Sequence, residues 1–199
     1  MRKRIAIFAS GKGSNAENII KYFKNNSLAE VVLVISNALN ANVLLRAKHL
    51  DTQAVVITKE DLYHSETALQ ILKKEKIDWI ILAGFLWIFP KTILDQYPNK
   101  VINIHPALLP KYGGKGMYGM YIHKAVVENR EKETGITIHY VNEKYDEGKI
   151  IFQAKAEISA TDTPESIAAK IHLLEQQHFP KVIEKLIITN ESSPSLGGG

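Results

Sequence analysis

The sequence predicts an α/β fold: a single domain with a Rossmann-like, mostly parallel sheet, an antiparallel C-terminal extension and helices on both faces. Short, almost wholly apolar runs alternate with segments of helical periodicity, which is typical of parallel strands buried on both sides. After Gly119 the pattern changes, because two strand-like runs follow each other with only a turn between them. The hydrophobic content of 45% is close to the average for globular domains, so a packed core is expected.

The first half of the chain repeats a strand-helix unit. The first apolar run ends at a glycine turn, and Ile19, Ile20 and Phe23 then recur at the spacing of one helix face. The same alternation predicts five strands, at residues 4–9, 31–35, 54–57, 79–82 and 101–104. It predicts helices between them at residues 41–50, 65–74 and 90–96.

The second half predicts the antiparallel extension and a closing helix. A helix over 120–128 precedes two strands, 135–141 and 150–156, that are joined by a turn. Thr163 and Pro164 can begin a long helix over 163–186, because Thr caps helices and Pro suits the first helical position. We expect one domain over residues 1–189 and a disordered tail over 190–199.

Composition excludes several classes of function. The chain has no cysteine, which rules out disulfides, thiolate metal sites and a cysteine nucleophile and suits a reducing, cytoplasmic location. The net charge of +4 comes without a dense Lys/Arg run, so a nucleic-acid partner is not expected. The apolar run at 5–9 is too short for a signal peptide, and the absence of a run of about 18 apolar residues predicts no membrane span.

The turn after the first strand is the first candidate site. Its residues are Ser10, Gly11, Lys12, Gly13, Ser14 and Asn15. Glycines at a strand-to-helix turn let the backbone approach an anion, and the first N–H groups of the helix can then bind it. The spacing is neither that of a Walker A loop nor GxGxxG. The alternatives are therefore a phosphate-binding loop and an ordinary tight turn before a helix.

A second candidate lies at the end of the fifth predicted strand. Strand alternation places Asn103 and His105 on the same face, and Pro106 then turns the chain. Ligands of open α/β sheets bind at the carboxyl ends of strands. An amide beside an imidazole can stabilise an oxyanion and move a proton, although a strand end with a structural histidine has the same pattern.

The turn between the two late strands carries the third candidate, Asp146. An aspartate before a glycine is usually turn chemistry, but this carboxylate could instead orient His105 and favour its protonated form. No metal site is expected, since His105, His123 and His139 lack the spacing of a ligand motif. His139 fits a satisfied core histidine, and His123 fits a surface position on a helix.

These candidates occur together in the order found in a known family. The chain resembles the phosphoribosylglycinamide formyltransferases from its start to about Thr189. The resemblance lies in the glycine turn, Leu82-Ala83-Gly84-Phe85, Asn103-Ile104-His105-Pro106-Ala107-Leu108-Leu109-Pro110, the strand around Thr137 and His139, and Tyr145-Asp146-Glu147-Gly148.

The resemblance implies an activity and a role for each site residue. The family transfers formyl from 10-formyltetrahydrofolate to the amine of glycinamide ribonucleotide, in purine biosynthesis. The implied catalytic residues are Asn103, His105 and Asp146. The implied substrate-binding residues are Gly11, Lys12, Gly13, Ser14, Asn15 and Glu175. The residues implied for the folate, which donates the formyl group, are Phe85, Leu86, Trp87, Ile88, Phe89 and Tyr145.

The implied chemistry needs no covalent enzyme intermediate. A neutral amine attacks the formyl carbon, and Asn103 and protonated His105 stabilise the oxyanion while Asp146 helps to move the proton. The expected partners are these two small molecules, with no nucleic acid or membrane, and a homodimer is one expected assembly.

The sequence departs from the family at four places, one of which is the segment from Gly113 to Met120, which is longer than in some relatives. Trp87 stands where well-known members carry Arg, and His172 where relatives often carry Gln. His123 aligns only loosely with a family histidine and is left out of the catalytic set. Two other classes of function stay open: a related enzyme that hydrolyses the folate or formylates a tRNA-bound amine, and a non-catalytic module that binds a phosphorylated metabolite.

Overall fold

The computed structural model describes residues 1–192, with side chains to residue 190. Within these residues seven strands form one sheet in the order β3-β2-β1-β4-β5-β6-β7. The strands β1 to β5 are parallel, whereas β6 and β7 are antiparallel to their neighbours. Their bounds are β1 Lys3–Phe8, β2 Ala29–Ser36, β3 Gln53–Val56, β4 Trp79–Leu82, β5 Val101–His105, β6 Glu133–Tyr140 and β7 Ile150–Glu157. The predicted fold class, including the antiparallel extension, is therefore confirmed.

Helices cover both faces of this sheet. They are α1 Ser14–Phe23, α2 Asn42–His49, α3 Thr67–Lys74, α4 Lys91–Leu94, α5 Met120–Glu128 and α6 Pro164–Ser192, with a π-helical turn at Glu60–His64. The alternation of β1 divides the core in two. Ile5 and Ile7 pack with α1, α2, α5 and α6, whereas Ala6 and Phe8 pack with α3, α4 and the π-helical turn. No helix in the described part of the chain is long and apolar enough to cross a membrane.

Most element bounds lie within one or two residues of those predicted. Two differences are larger. The π-helical turn was not predicted, and α6 continues to Ser192 because Ile187, beyond its predicted end, is fully buried. Residues 190–192 of the predicted tail therefore lie in a helix, and the rest of that tail lies outside the described residues.

The strand order determines where a ligand can bind. The chain runs from β1 outward through β2 and β3, then returns to β4 on the other side of β1. The connections after β1 and β4 consequently leave the sheet in opposite directions, and a crevice opens between them at the carboxyl ends of the strands. The glycine turn after β1 and the segment after β4 border this crevice.

A proline inside α6 helps to dock this helix on α1. Pro180 has no N–H, so the carbonyl four residues earlier, that of Gln176, lacks its helical donor. The side chain of Asn18 on α1 donates to this carbonyl at 2.9 Å. The side-chain amide of Gln176 in turn lies 3.4 Å from both the carbonyl of Ser14 and the Oδ1 of Asn15. The long helix is thereby tied to the start of α1, where the glycine turn ends.

Candidate active site

The crevice is a cavity of about 790 Å³. Every predicted catalytic and substrate-binding residue lines it. The lining includes Gly11, Lys12, Gly13, Ser14 and Asn15 after β1, Phe85 and Leu86 after β4, Asn103 and His105 on β5, Tyr145 and Asp146 before β7, and Glu175 on α6. Three loops, the strand β5 and the helix α6 therefore meet in one site.

Position 13 of the glycine turn has a backbone conformation and surroundings that only glycine tolerates. Gly13 has φ +75°, and a Cβ there would lie 2.5 Å from the Cβ of Val43 on α2. The Val43 amide donates to the carbonyl of Gly11 at 3.1 Å. No side chain caps the N-terminus of α1, so its first turn presents uncapped backbone donors to the cavity.

The other side of this turn is joined to the segment after β4. The Ser10 hydroxyl accepts a hydrogen bond from the Leu86 amide at 2.9 Å, and the Ser10 amide donates to the Gly84 carbonyl at 2.9 Å. These two contacts hold the two walls of the crevice at a set separation.

Glu175 enters the cavity from α6 and is largely buried. His172, one helical turn earlier, places its Nδ1 3.6 Å from the Glu175 carboxylate. A hydrogen bond to Glu175 raises the pKa of His172, and partial burial and the nearby Lys12 charge oppose this rise. His172 thus lies between a carboxylate of the site and the cation of the glycine turn.

Asn103 is held by a histidine that was not predicted as a site residue. The pairing of β5 with β6 places His139 opposite Asn103, and the Asn103 amide lies 3.1 Å from His139 Nε2. The Nδ1 of His139 lies 2.8 Å from the Tyr140 carbonyl, which can only accept. Nδ1 therefore carries a proton, and Nε2 faces both the Asn103 amide and, at 3.7 Å, a carboxylate oxygen of Asp146. The contact with Nε2 orients the amide of Asn103.

The ring of His105 lies between two acceptors. Its Nε2 is 2.7 Å from the Tyr112 carbonyl, and its Nδ1 is 3.4 Å from an Asp146 carboxylate oxygen. A neutral imidazole has one N–H and can serve only one of these acceptors, whereas an imidazolium serves both. Both ring nitrogens of His105 therefore face an acceptor, and Nδ1 is directed at Asp146.

Asp146 is a nearly buried carboxylate, with 12% of its side chain exposed. Burial raises the pKa of Asp146, but the neighbouring imidazoles of His105 and His139 and a hydrogen bond from the Gly114 amide at 2.9 Å lower it well below its usual range. The backbone adopts φ +57°, a conformation that Asp tolerates better than most residues. The turn therefore directs an ionised carboxylate inward, toward His105.

The residues after β4 divide between two cavities. Phe85 and Leu86 line the large cavity, whereas Trp87, Ile88 and Phe89 line an adjoining space of about 50 Å³ that also borders Tyr145 and Asp146. The Phe89 ring is buried against Phe8 in the core, so a ligand could meet residue 89 only through its backbone.

The Trp87 indole forms one wall of the smaller space. Its ring centroid lies 6.2 Å from that of Tyr63 and 6.1 Å from that of Phe85, and Lys59 Nζ lies 5.7 Å from the ring centroid. Tyr63, in the π-helical turn, also donates to the Ile88 carbonyl at 2.8 Å. The unpredicted π-helical turn therefore supports this wall.

His123 is buried on α5 and not on the surface, which corrects the sequence-based expectation. Burial lowers its pKa, and its Nδ1 has no hydrogen-bond partner among the described residues. In the same part of the chain, no group of His, Asp or Glu side chains has the arrangement of a metal site.

Comparison with known proteins assigns the family. The model of the formyl transferase family matches residues 3–183. The chain belongs to the formyl transferase family. Among solved structures, phosphoribosylglycinamide formyltransferase from Bacillus halodurans superposes with a TM-score of 0.84 at 35% identity, and the match covers 96% of this chain and 98% of that one.

Curated relatives of this formyl transferase domain differ in length. The chloroplastic phosphoribosylglycinamide formyltransferase of Arabidopsis thaliana is 37% identical over 188 residues, which are 92% of this chain and 64% of the relative. The chain thus spans less than two thirds of that plant protein. The phosphoribosylglycinamide formyltransferase of Bacillus subtilis is 35% identical over 94% of this chain and 96% of its own length.

Several residues of the formyl transferase site were missed from sequence. His139 was interpreted as a core histidine, and the segment from Gly114 to Gly119 was assigned no role although it lines the cavity. The alternation of Thr137 and His139 along a predicted strand could have indicated that both face one side. All three glycines of the Gly114–Gly119 segment have positive φ, so it forms an irregular loop. Such a loop leaves no hydrophobic periodicity in the sequence from which it could be predicted.

Proposed function

We propose that the chain transfers a formyl group from 10-formyltetrahydrofolate to the amine of glycinamide ribonucleotide, giving formylglycinamide ribonucleotide and tetrahydrofolate in purine biosynthesis. One observation carries the proposal: a single cavity is lined by the glycine turn before α1, by the aromatic residues Phe85 and Tyr145, and by Asn103, His105 and Asp146. The relatives from Bacillus subtilis and Bacillus halodurans, which match over nearly their whole lengths, are phosphoribosylglycinamide formyltransferases, and this supports the same reaction.

The ribonucleotide would bind at the end formed by α1. The uncapped first turn of α1, with Gly11, Gly13, Ser14 and Asn15, offers backbone and side-chain donors to a phosphate, and Lys12 adds a positive charge. Glu175 lines the cavity and would accept hydrogen bonds from the ribose hydroxyls. This placement directs the amine of the ribonucleotide toward β5.

The folate would bind against the segment after β4 and against Tyr145. Phe85, Leu86 and Tyr145 give this part of the cavity apolar walls that suit flat heterocyclic and benzoyl rings, and the adjoining space is bordered by Trp87, Ile88 and Phe89. The folate supplies the formyl group when it is bound, and Asn103 and His105 line the same cavity. The residues present therefore fit the donor.

The roles of the three polar side chains follow from their hydrogen bonds. As the amine attacks, a new C–N bond forms and the formyl oxygen gains negative charge. The Asn103 amide, oriented by His139, and the protonated ring of His105 would stabilise this charge. The bond to the folate nitrogen then breaks, and the proton lost by the amine moves to that leaving nitrogen. Asp146 would hold His105 protonated and accept hydrogen bonds during this transfer.

Two broader features belong to the same proposal. We propose a cytoplasmic location, supported by the absence of cysteine, and cell fractionation tests it. We also propose that a homodimer is accessible to the chain, and light scattering over a range of concentrations tests this. A mass that stays monomeric at every concentration would reject the dimer.

Mass spectrometry of the ribonucleotide product tests the reaction. The wild-type protein should add one formyl group to glycinamide ribonucleotide in step with tetrahydrofolate formation. Asn103→Ala should slow this by about 10²–10³-fold, the usual cost of removing an oxyanion donor, while circular dichroism stays unchanged. Release of free formate in place of the formylated ribonucleotide would instead identify a hydrolase. An Asn103→Ala variant with wild-type turnover would reject the assigned site.

A further inference from the structure

A cluster of charged side chains lies beside the glycine turn. Arg46 on α2 donates through Nε to the Lys12 carbonyl at 2.9 Å, and its Nη1 pairs with the carboxylate of Glu17 on α1. Lys21 pairs with the other oxygen of Glu17. None of these three side chains has been given a role in the reaction above.

The contact with Lys12 determines which way a backbone donor points. In a trans peptide the C=O and the following N–H point in opposite directions. Because Arg46 holds the Lys12 carbonyl on the α2 side, the N–H of Gly13 must point away from α2. The Val43 amide holds the Gly11 carbonyl in the same way, so the N–H of Lys12 also points away from α2. Two consecutive donors of the turn are thus oriented by α2.

The contact with Glu17 is electrostatic. Glu17 lies in the first turn of α1, the same turn that would receive the phosphate, and an unpaired carboxylate there would repel a dianion. Its side chain is partly buried, so solvent screens it less than it would a fully exposed group. Arg46 and Lys21 neutralise the charge of Glu17. A phosphate at the turn is therefore still attracted by Lys12 and by the dipole of α1.

We propose that Arg46 is a positioning residue for the phosphate of the substrate: it orients the N–H of Gly13 through the Lys12 carbonyl and neutralises Glu17. The inference rests on the proposed function only in that the turn binds a phosphate group. Arg46 acts on the binding of the phosphorylated substrate and not on the formyl-transfer step.

Calorimetric titration with ribose 5-phosphate tests the proposal without relying on turnover. Arg46→Ala should weaken binding about tenfold relative to wild type. Arg2→Ala is the matched control, because Arg2 pairs with Glu30 with nearly the same side-chain exposure, 43% against 41%, and lies outside the cavity lining. Equal binding by the Arg46→Ala and Arg2→Ala variants, or no binding of ribose 5-phosphate to wild type, would overturn the proposal.

A double variant separates two effects of removing Arg46: the unpaired charge of Glu17 and the lost contact with the Lys12 carbonyl. If Glu17 repels the phosphate once Arg46 is gone, Arg46→Ala combined with Glu17→Gln should bind about threefold more tightly than Arg46→Ala alone. Binding by the double variant that is no tighter would overturn the neutralising role of Arg46.

Kinetics then link the proposal to the reaction. In Arg46→Ala the KM for glycinamide ribonucleotide should rise by about the same tenfold factor, with kcat and the KM for the folate nearly unchanged. A fall in kcat with an unchanged KM would overturn a positioning role. If wild type binds ribose 5-phosphate but transfers no formyl group, the proposed function fails while the binding comparison still decides the role of Arg46.

Discussion

Replacing Asp146 by Asn should change the protonation of His105 while leaving the fold intact. The Gly114 amide, 2.9 Å from Asp146, needs an acceptor and would retain the side-chain oxygen of the new Asn. The NH₂ group of the Asn would then face His105 Nδ1, which could only accept from it. His105 would keep its Nε2 proton on the Tyr112 carbonyl and lose the Nδ1 proton. The variant thus stabilises the neutral ring.

The expected cost follows from the loss of the positive charge of His105 beside the developing oxyanion. We expect kcat to fall about 10²–10³-fold, the range seen when one oxyanion-stabilising donor is removed. The assay is kcat against pH, with circular dichroism to confirm the fold. Glu147→Gln is the control, because it removes the same charge from the same turn at a side chain that is 59% exposed and paired with Lys144. Turnover of Asp146→Asn within about threefold of wild type, or an equal loss in Glu147→Gln, would refute the reasoning.

Three further predictions follow from the site. Gly13→Ala should raise the KM for the ribonucleotide about tenfold or more, because of the positive φ and the close contact with Val43 on α2. A KM within about threefold of the wild-type value would contradict this. Because the pKa of Asp146 is lowered in the folded protein, the wild type should be more stable than Asp146→Asn near neutral pH. The difference in unfolding free energy between the two should shrink as the pH falls below about 4. A difference that does not change with pH would argue against the pairing of Asp146 with His105. In a Trp79→Phe variant, Trp87 is the remaining tryptophan. Its fluorescence should change when a folate analogue is added and much less when the ribonucleotide is added. No change at saturating folate analogue would place the folate elsewhere.

The predictable parts of the fold are those whose structure leaves a pattern in residues close together in the sequence. The apolar runs of the parallel strands and the face formed by Ile19 and Phe23 follow from burial, which leaves a pattern in neighbouring residues. The π-helical turn Glu60–His64 is too short to show a period, and its support of Trp87 depends on distant residues. The end of α6 was missed because a single buried residue, Ile187, extends the packing.

The site residues divide in the same way, into those that a sequence pattern brings together and those that depend on packing between distant elements. Asn103 and His105 were predictable because both lie near the end of one strand, where alternation places them together. His139 was not, because its contact with Asn103 depends on the register between β5 and β6, which the spacing of residues does not encode. The arrangement of Arg46 across the glycine turn likewise arises from the packing of α2 on α1.

The most direct test of the proposed reaction is the rate of tetrahydrofolate formation, followed by absorbance with and without glycinamide ribonucleotide. The arrangement of the phosphate turn, Asn103, His105 and Asp146 in one cavity predicts that the folate product forms only when the ribonucleotide is present, with one formylated ribonucleotide for each tetrahydrofolate. Formation at the same rate without the ribonucleotide would show that water is the acceptor and would contradict the account.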